Sequence, residues 1–170
     1  NKPDGWDASN FNFGIANVVT VFRDTVLPMS GSSNVLMETK TVNLGLGQPT
    51  IPGLITVGTL IIDFANGTGE VTGGIPFTGR PLALKGYINA EPAVGDSAMI
   101  AIGFSVWDGT KRDTIGAALA WFGTPHQEWV ALEVPIDFFD TRTPDSMNII
   151  ISSSAVANLI VVDGSKLRVD

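Results

Sequence analysis

The chain has 170 residues, 44% of them hydrophobic and 16% charged, with 19 glycines, 10 prolines, one histidine and no cysteine. That length fits one domain with a core large enough to stand without staples, and the composition excludes disorder, disulfides, thiolate catalysis and cysteine metal sites. The formal charge of −7 opposes phosphate backbones and anionic membrane surfaces, so nucleic acid is not an expected partner.

Residues 1–17, rich in Asn, Asp and Gly, read as an irregular lead-in anchored by Trp6, Phe11 and Phe13. Runs of strand character follow at Val18–Arg23, Asn34–Lys40, Leu54–Asp63, Leu82–Asn89, Ser97–Trp107, Thr114–Phe122, Glu128–Val134, Met147–Ser153 and Leu159–Val169. Gly or Pro clusters separate most of them, and no segment keeps a helical period over ten residues. The longest apolar run, residues 54–62, is far shorter than the roughly 20 residues of a transmembrane helix. Some nine strands within residues 1–170 predict a single all-β domain, an antiparallel β-sandwich of jelly-roll type.

Residues 76–121 carry the sharpest signal. Asp108-Gly109 between two alternating runs predicts a tight hairpin, because a type I′ turn needs positive φ. Ala98, Ile100, Ile102, Phe104 and Val106 share the core side of the first run, leaving Met99, Ala101, Gly103, Ser105 and Trp107 on the other. In the second run Ile115, Ala117, Leu119 and Trp121 form the apolar series, which leaves Thr114, Gly116, Ala118 and Ala120 as a small-featured opposite face. Neighbouring runs add Lys85, Tyr87 and Asn89, then Trp129 and Glu133, on their non-core sides. Together these predict a ligand face in which Lys85, Tyr87, Asn89, Trp107, Trp129 and Glu133 surround a Gly/Ala trough; the alternative is that another sheet or loop covers it.

Catalytic chemistries find little support. The lone His126 lies in a loop, without a Gly-x-Ser-x-Gly elbow, and reads as an ordinary loop residue. Glycoside hydrolysis needs two carboxylates about 5–9.5 Å apart, and no pair stands out among 17 acids. The Gly-rich segments at 67–69 and 71–74 lack the Lys-Ser/Thr and the helix of a phosphate loop, and the Asn66-Gly67-Thr68 sequon reads as a turn. No cofactor is called for, and the one ion the sequence leaves room for is a structural calcium on oxygen ligands near the chain ends, Asp4, Asp163 and Asp170.

The stretches GRPLALKGYINAEP (79–92), GDSAMIAIGFSVWDGTKRDTIG (95–116), PDSMNIIISSS (144–154) and GSKLRVD (164–170), with PDGW at 3–6 and SGSSNVLMET at 30–39, resemble the "putative carbohydrate metabolism domain" of Bacteroidetes surface and secreted proteins. The resemblance implies a jelly roll akin to carbohydrate-binding modules, an extracytoplasmic location and no agreed catalytic residues. It departs from that pattern after Gly86-Tyr87, where Ile88, Asn89 and Ala90 replace a second aromatic. Asp followed by Ser or Thr and a small or aliphatic residue also resembles the O-glycosylation acceptor of such exported proteins, making Thr25, Ser97, Thr114 and Ser146 candidates; the same dipeptides are natural turn entrances. The alternating run that reaches Asp170 and the missing strand before Trp6 fit a segment trimmed from a longer chain, or one whose sheet a neighbour completes.

Three functions remain open at this point. The first is a non-catalytic module for polysaccharide or other glycan, and the second a structural or adhesive surface domain meeting neighbours through its sheet edges. The third is an enzyme acting on carbohydrate, with no nominated acid pair.

Overall fold

The computed structural model describes residues 2–12, 17–45, 47–63, 68–155 and 160–170. In chain order the strands of its two large sheets are β1 (Asp7–Ala8), β2 (Val21–Asp24), β3 (Asn34–Glu38), β4 (Leu54–Thr56), β5 (Ile75–Pro76), β6 (Ala83–Glu91), β7 (Ala98–Trp107), β8 (Arg112–Phe122), β9 (Val130–Pro135), β10 (Asp137–Phe138), β11 (Ser146–Ser152) and β12 (Lys166–Val169). The seven-stranded sheet is ordered β1-β4-β11-β7-β8-β10, with β5 also on β11, and the five-stranded sheet is ordered β9-β6-β12-β3-β2. Every pairing is antiparallel. Two-stranded ribbons join Phe11–Asn12 to Asn17–Val18, Lys40–Thr41 to Thr50–Ile51, and Thr59–Asp63 to Thr68–Thr72. The protein is an antiparallel β-sandwich, with no helix among the described residues.

Alternation explains how the layers meet. On β7 the even-numbered side chains Ala98, Ile100, Ile102 and Phe104 are buried, facing Met37, Ile88, Ala90 and Leu167 of the five-stranded sheet within one core cluster. Phe104 is the centre of an aromatic group, its ring centroid 5.6 Å from Phe77 and 4.9 Å from Phe138. The Arg80 guanidinium lies 4.2 Å over the Phe138 ring and donates to the carbonyls of Asp140 and Arg142, fixing the 139–142 loop against the core.

A buried carboxylate ties one edge of the sandwich. Asp96 Oδ1 accepts the amides of Ser97 (2.7 Å) and Ala155 (3.0 Å), and Oδ2 accepts the Ser154 and Ser165 hydroxyls (2.6 and 2.7 Å) and the Val162 amide (3.1 Å). Burial pushes this carboxyl up, but the hydroxyls of Ser154 and Ser165 and the amides of Ala155 and Ser97 outweigh it and hold it below the usual range.

Several boundaries differ from expectation. The lead-in contains β1, whose Asp7 and Ala8 pair with Thr56 and Ile55. The run 54–63 divides at Gly58, where an added Cβ would press on the Thr72 carbonyl and Asn148, and the chain leaves the sheet for a ribbon. Among the described residues of the final run only Lys166–Val169 is strand, because Asp163-Gly164, with φ 88° at the glycine, makes a turn just before it. The hairpin after β7 is present, yet its last ladder pair is Trp107 with Arg112 and Gly109 carries φ 104°. Asp108 therefore precedes the turn instead of occupying its centre, and its Oδ1 accepts the Thr110 and Lys111 amides. Phe13, Leu159 and the Asn66-Gly67 part of the sequon lie outside the described residues.

Candidate functional site

The predicted ligand residues divide between two faces. Lys85 and Tyr87 on β6 and Glu133 on β9 share the outer face of the five-stranded sheet, where Lys85 pairs in register with Glu133 and Tyr87 with Ala131. Lys85 Nζ lies 3.1 Å from Glu133 Oε2, both side chains largely in solvent, and Tyr87 is 41% exposed beside the small Ala131. Asn89 is on the same strand but only 1% exposed. Its amide donates to the His126 carbonyl and its oxygen accepts from Arg168, both at 2.9 Å, while Arg168 also grips Asp24 and Glu91. Asn89 is thus held by the protein itself. Trp129 is half-buried just before β9, its indole N–H enclosed without a partner.

Trp107 belongs to the other sheet. At the end of β7 it is 51% exposed, and its amide donates to Asp145 Oδ2 at 2.9 Å. Arg112 reaches both Asp145 Oδ1 and the Ser105 hydroxyl, so a hydrogen-bonding rim of balanced charge surrounds this tryptophan.

A β-bulge changes what lies next to it. From the hairpin the register runs Trp107 with Arg112, Val106 with Asp113 and Ser105 with Thr114, then shifts, so that Phe104 faces Gly116. Ile115 is the inserted residue and is fully buried. Beyond it the expected sides of β8 are exchanged. Gly116, Ala118 and Ala120 stand opposite Phe104, Ile102 and Ile100 on the core side, while Ala117, Leu119 and Trp121 stand opposite Gly103, Ala101 and Met99 on the other side, where Met99, expected to be open, is itself covered at 2% exposure. Gly116 is required there, because an added Cβ would overlap the Phe138 ring.

The outer face of the seven-stranded sheet therefore carries a floor of Ala101, Gly103 and Ala117, with Leu119 beside it and a tryptophan at each end, Trp107 and the 37%-exposed Trp121. A Cβ built on Gly103 meets nothing within 4 Å, so the space above the floor is open. Strict alternation through Ile115-Gly116 places Trp121 on the core side, which hides it as a ligand residue in the sequence. The signal was available, since an isolated glycine inside a strand marks a bulge or a close approach.

The remaining candidates are dispersed. Thr25 is exposed in the β2–β3 loop and Thr114 beside the bulge on the outer face, Ser97 is half-buried, and Ser146 is only 8% exposed. Asp4 is exposed, Asp163 accepts the Thr41 amide, and Asp170 accepts the Ser30 amide and hydroxyl. These carboxylates serve different segments and do not converge, and among the described residues no group of three or more His, Asp or Glu side chains could hold a metal ion.

The carboxylates whose acidity the structure displaces, among them Asp140 and Asp145, all move downward. The Arg142 guanidinium and then its amide lower Asp140, and the Trp107 amide and then Arg112 lower Asp145. A glycosidase general acid requires the opposite displacement. A largely apolar cavity of about 290 Å³ between the sheets is lined by aliphatic residues such as Ile55, Leu84, Ile100 and Ile151, with Trp6 and the predicted site residues Lys85, Tyr87 and Asp170 also on its lining.

No family model and no curated protein matches the chain. Its fold is similar to two solved structures, each described as a "putative glycoside hydrolase". One, from Bacteroides thetaiotaomicron, aligns with TM-score 0.68 and 17% identity over 89% of this chain and 55% of its own. The other, from Bacteroides vulgatus, aligns with TM-score 0.69 and 14% identity over 89% of this chain and 75% of its own. The chain thus spans about half the length of the first, and at such identities the likeness establishes the shared fold.

Proposed function

We propose that this chain is a non-catalytic carbohydrate-binding domain of an extracytoplasmic protein of Bacteroidetes type, and that the outer face of its seven-stranded sheet is the principal binding surface. The observation that carries this reading is the open floor at Gly103 between two exposed tryptophans, with the Ser105, Arg112 and Asp145 polar groups at one end. Indole faces stack on the C–H faces of sugar rings while hydroxyl, guanidinium and carboxylate groups exchange hydrogen bonds with sugar hydroxyls. Fold similarity to two proteins each described as a "putative glycoside hydrolase" supports a carbohydrate context. Tyr87 with the Lys85–Glu133 pair offers a second, smaller platform on the opposite sheet.

The test is affinity electrophoresis through gels containing individual polysaccharides, with a reducing-sugar assay on the same samples. Retention without sugar release is expected. Migration unaffected by every polysaccharide would refute the proposal, and sugar release abolished by one Asp→Asn or Glu→Gln change would replace it with an enzyme. The exposure of Leu119 and Trp121 also suits a structural domain that packs this face on a neighbour; self-association lost on Trp121→Ala would favour that second reading.

A further inference from the structure

We infer that the ligand of the Trp107–Trp121 face is an uncharged polysaccharide bound along its interior as an extended chain, an inference that rests on the carbohydrate-binding reading above. Length favours a polymer. Trp121 stands opposite Met99, and Trp107 lies eight strand steps farther along β7. At 3.3–3.4 Å per residue the two backbone positions are about 27 Å apart along the strand. No single sugar ring reaches both, whereas a chain laid along β7 engages the second tryptophan intramolecularly once the first is bound, so affinity grows with chain length until both are covered. The bulge sets this geometry: without the inserted Ile115, Trp121 would point into the core.

Charge favours a neutral one. Arg112 at the Trp107 end is neutralised by Asp145, and the neighbouring Lys111 lies 3.2 Å from Asp113. With both cations matched by carboxylates and a formal chain charge of −7, the surface offers no net positive field to an acidic sugar. Its polar groups, the Ser105 and Thr114 hydroxyls and the Arg112–Asp145 pair, suit neutral hydroxyls that both donate and accept.

The experiment uses the complete 170-residue chain. Affinity gels contain xylan, mannan or β-glucan as neutral probes and polygalacturonate as an anionic one. Calorimetry then follows an oligosaccharide length series of whichever probe is retained, with wild type, Trp107→Ala and Trp121→Ala. Thermal melts confirm that each variant is folded, as their exposure leads one to expect. The inference predicts retention on a neutral polymer that survives about 0.5 M salt, where exposed charges are screened, and affinity that rises with oligosaccharide length. Each tryptophan change should weaken long-chain binding by about tenfold, the equivalent of about 1.4 kcal/mol. Salt-sensitive retention on polygalacturonate alone would overturn the inference and leave the carbohydrate reading standing, as would a disaccharide that binds as tightly as the polymer and depends on one tryptophan. Absence of retention on all four polymers would overturn the carbohydrate reading itself.

Discussion

Replacing Asp96 by Asn tests how the sandwich edge is held. The carboxylate receives the amide of its neighbour Ser97, and two amides and two hydroxyls from segments distant in sequence. Asn keeps one acceptor oxygen, which can serve Ser97 and Ala155, and the two serine hydroxyls can rotate to accept from the new amide group. The Val162 N–H cannot rotate, and it is left facing another donor. An orphaned buried group costs about 1–3 kcal/mol, and exchanging charge-assisted bonds for neutral ones adds roughly another 1 kcal/mol. The expected loss is therefore about 2–4 kcal/mol, and at about 2–4 °C per kcal/mol for a chain of this size the melting temperature should fall by roughly 10 °C. Urea unfolding followed by tryptophan fluorescence measures the loss directly.

The same substitution predicts a pH signature. The folded carboxyl titrates below its unfolded value of about 3.9, so its contribution is present in full above that value and disappears as pH falls through the lower, folded one. The gap between wild type and Asp96→Asn should be constant from about pH 5 upward and close in stronger acid. Equal stability of the two proteins at pH 7, or a gap that widens with acid, would refute the reasoning.

Gly116→Val should cost about 1–3 kcal/mol, because a side chain there displaces the Phe138 ring; denaturant midpoints of the variant and of Gly116→Ala would order the cost by size. Phe104→Ala removes the fully buried centre of the aromatic group and should lose about 3–5 kcal/mol, read from the same unfolding curves. Lys85→Ala breaks an exposed pair with Glu133 and should change stability by less than about 1 kcal/mol in a thermal melt.

The layers of the sandwich were legible because alternation is a local property. The even side of β7 is buried as expected, although Met99 on its other side is covered as well, and Leu167 with Val169 on β12 pack into the same core. What sequence alternation did not supply is sheet membership. Lys85 and Trp107 are both outward-facing, yet β6 and β7 belong to different sheets, so their side chains point to opposite sides of the molecule. Asn89 looked available because its strand position is external, and only the tertiary approach of His126 and Arg168 shows that it is occupied. On β8 the inserted Ile115 reverses every later side chain, which moves Trp121 from the expected core to the surface, the sensitivity that a period of two imposes on any one-residue slip.

Gly103→Leu probes the proposed binding face most directly. Nothing lies within 4 Å of a Cβ at this position, so the leucine side chain can start there without a clash and rise over the open floor, and a glycine is removed from the interior of a strand. An unchanged or slightly raised melting temperature, together with loss of retention on the polysaccharide that holds the wild-type protein, is the predicted result. A folded Gly103→Leu variant retained as strongly as wild type, with retention abolished instead by Tyr87→Ala, would contradict the assignment and move the site to the opposite sheet.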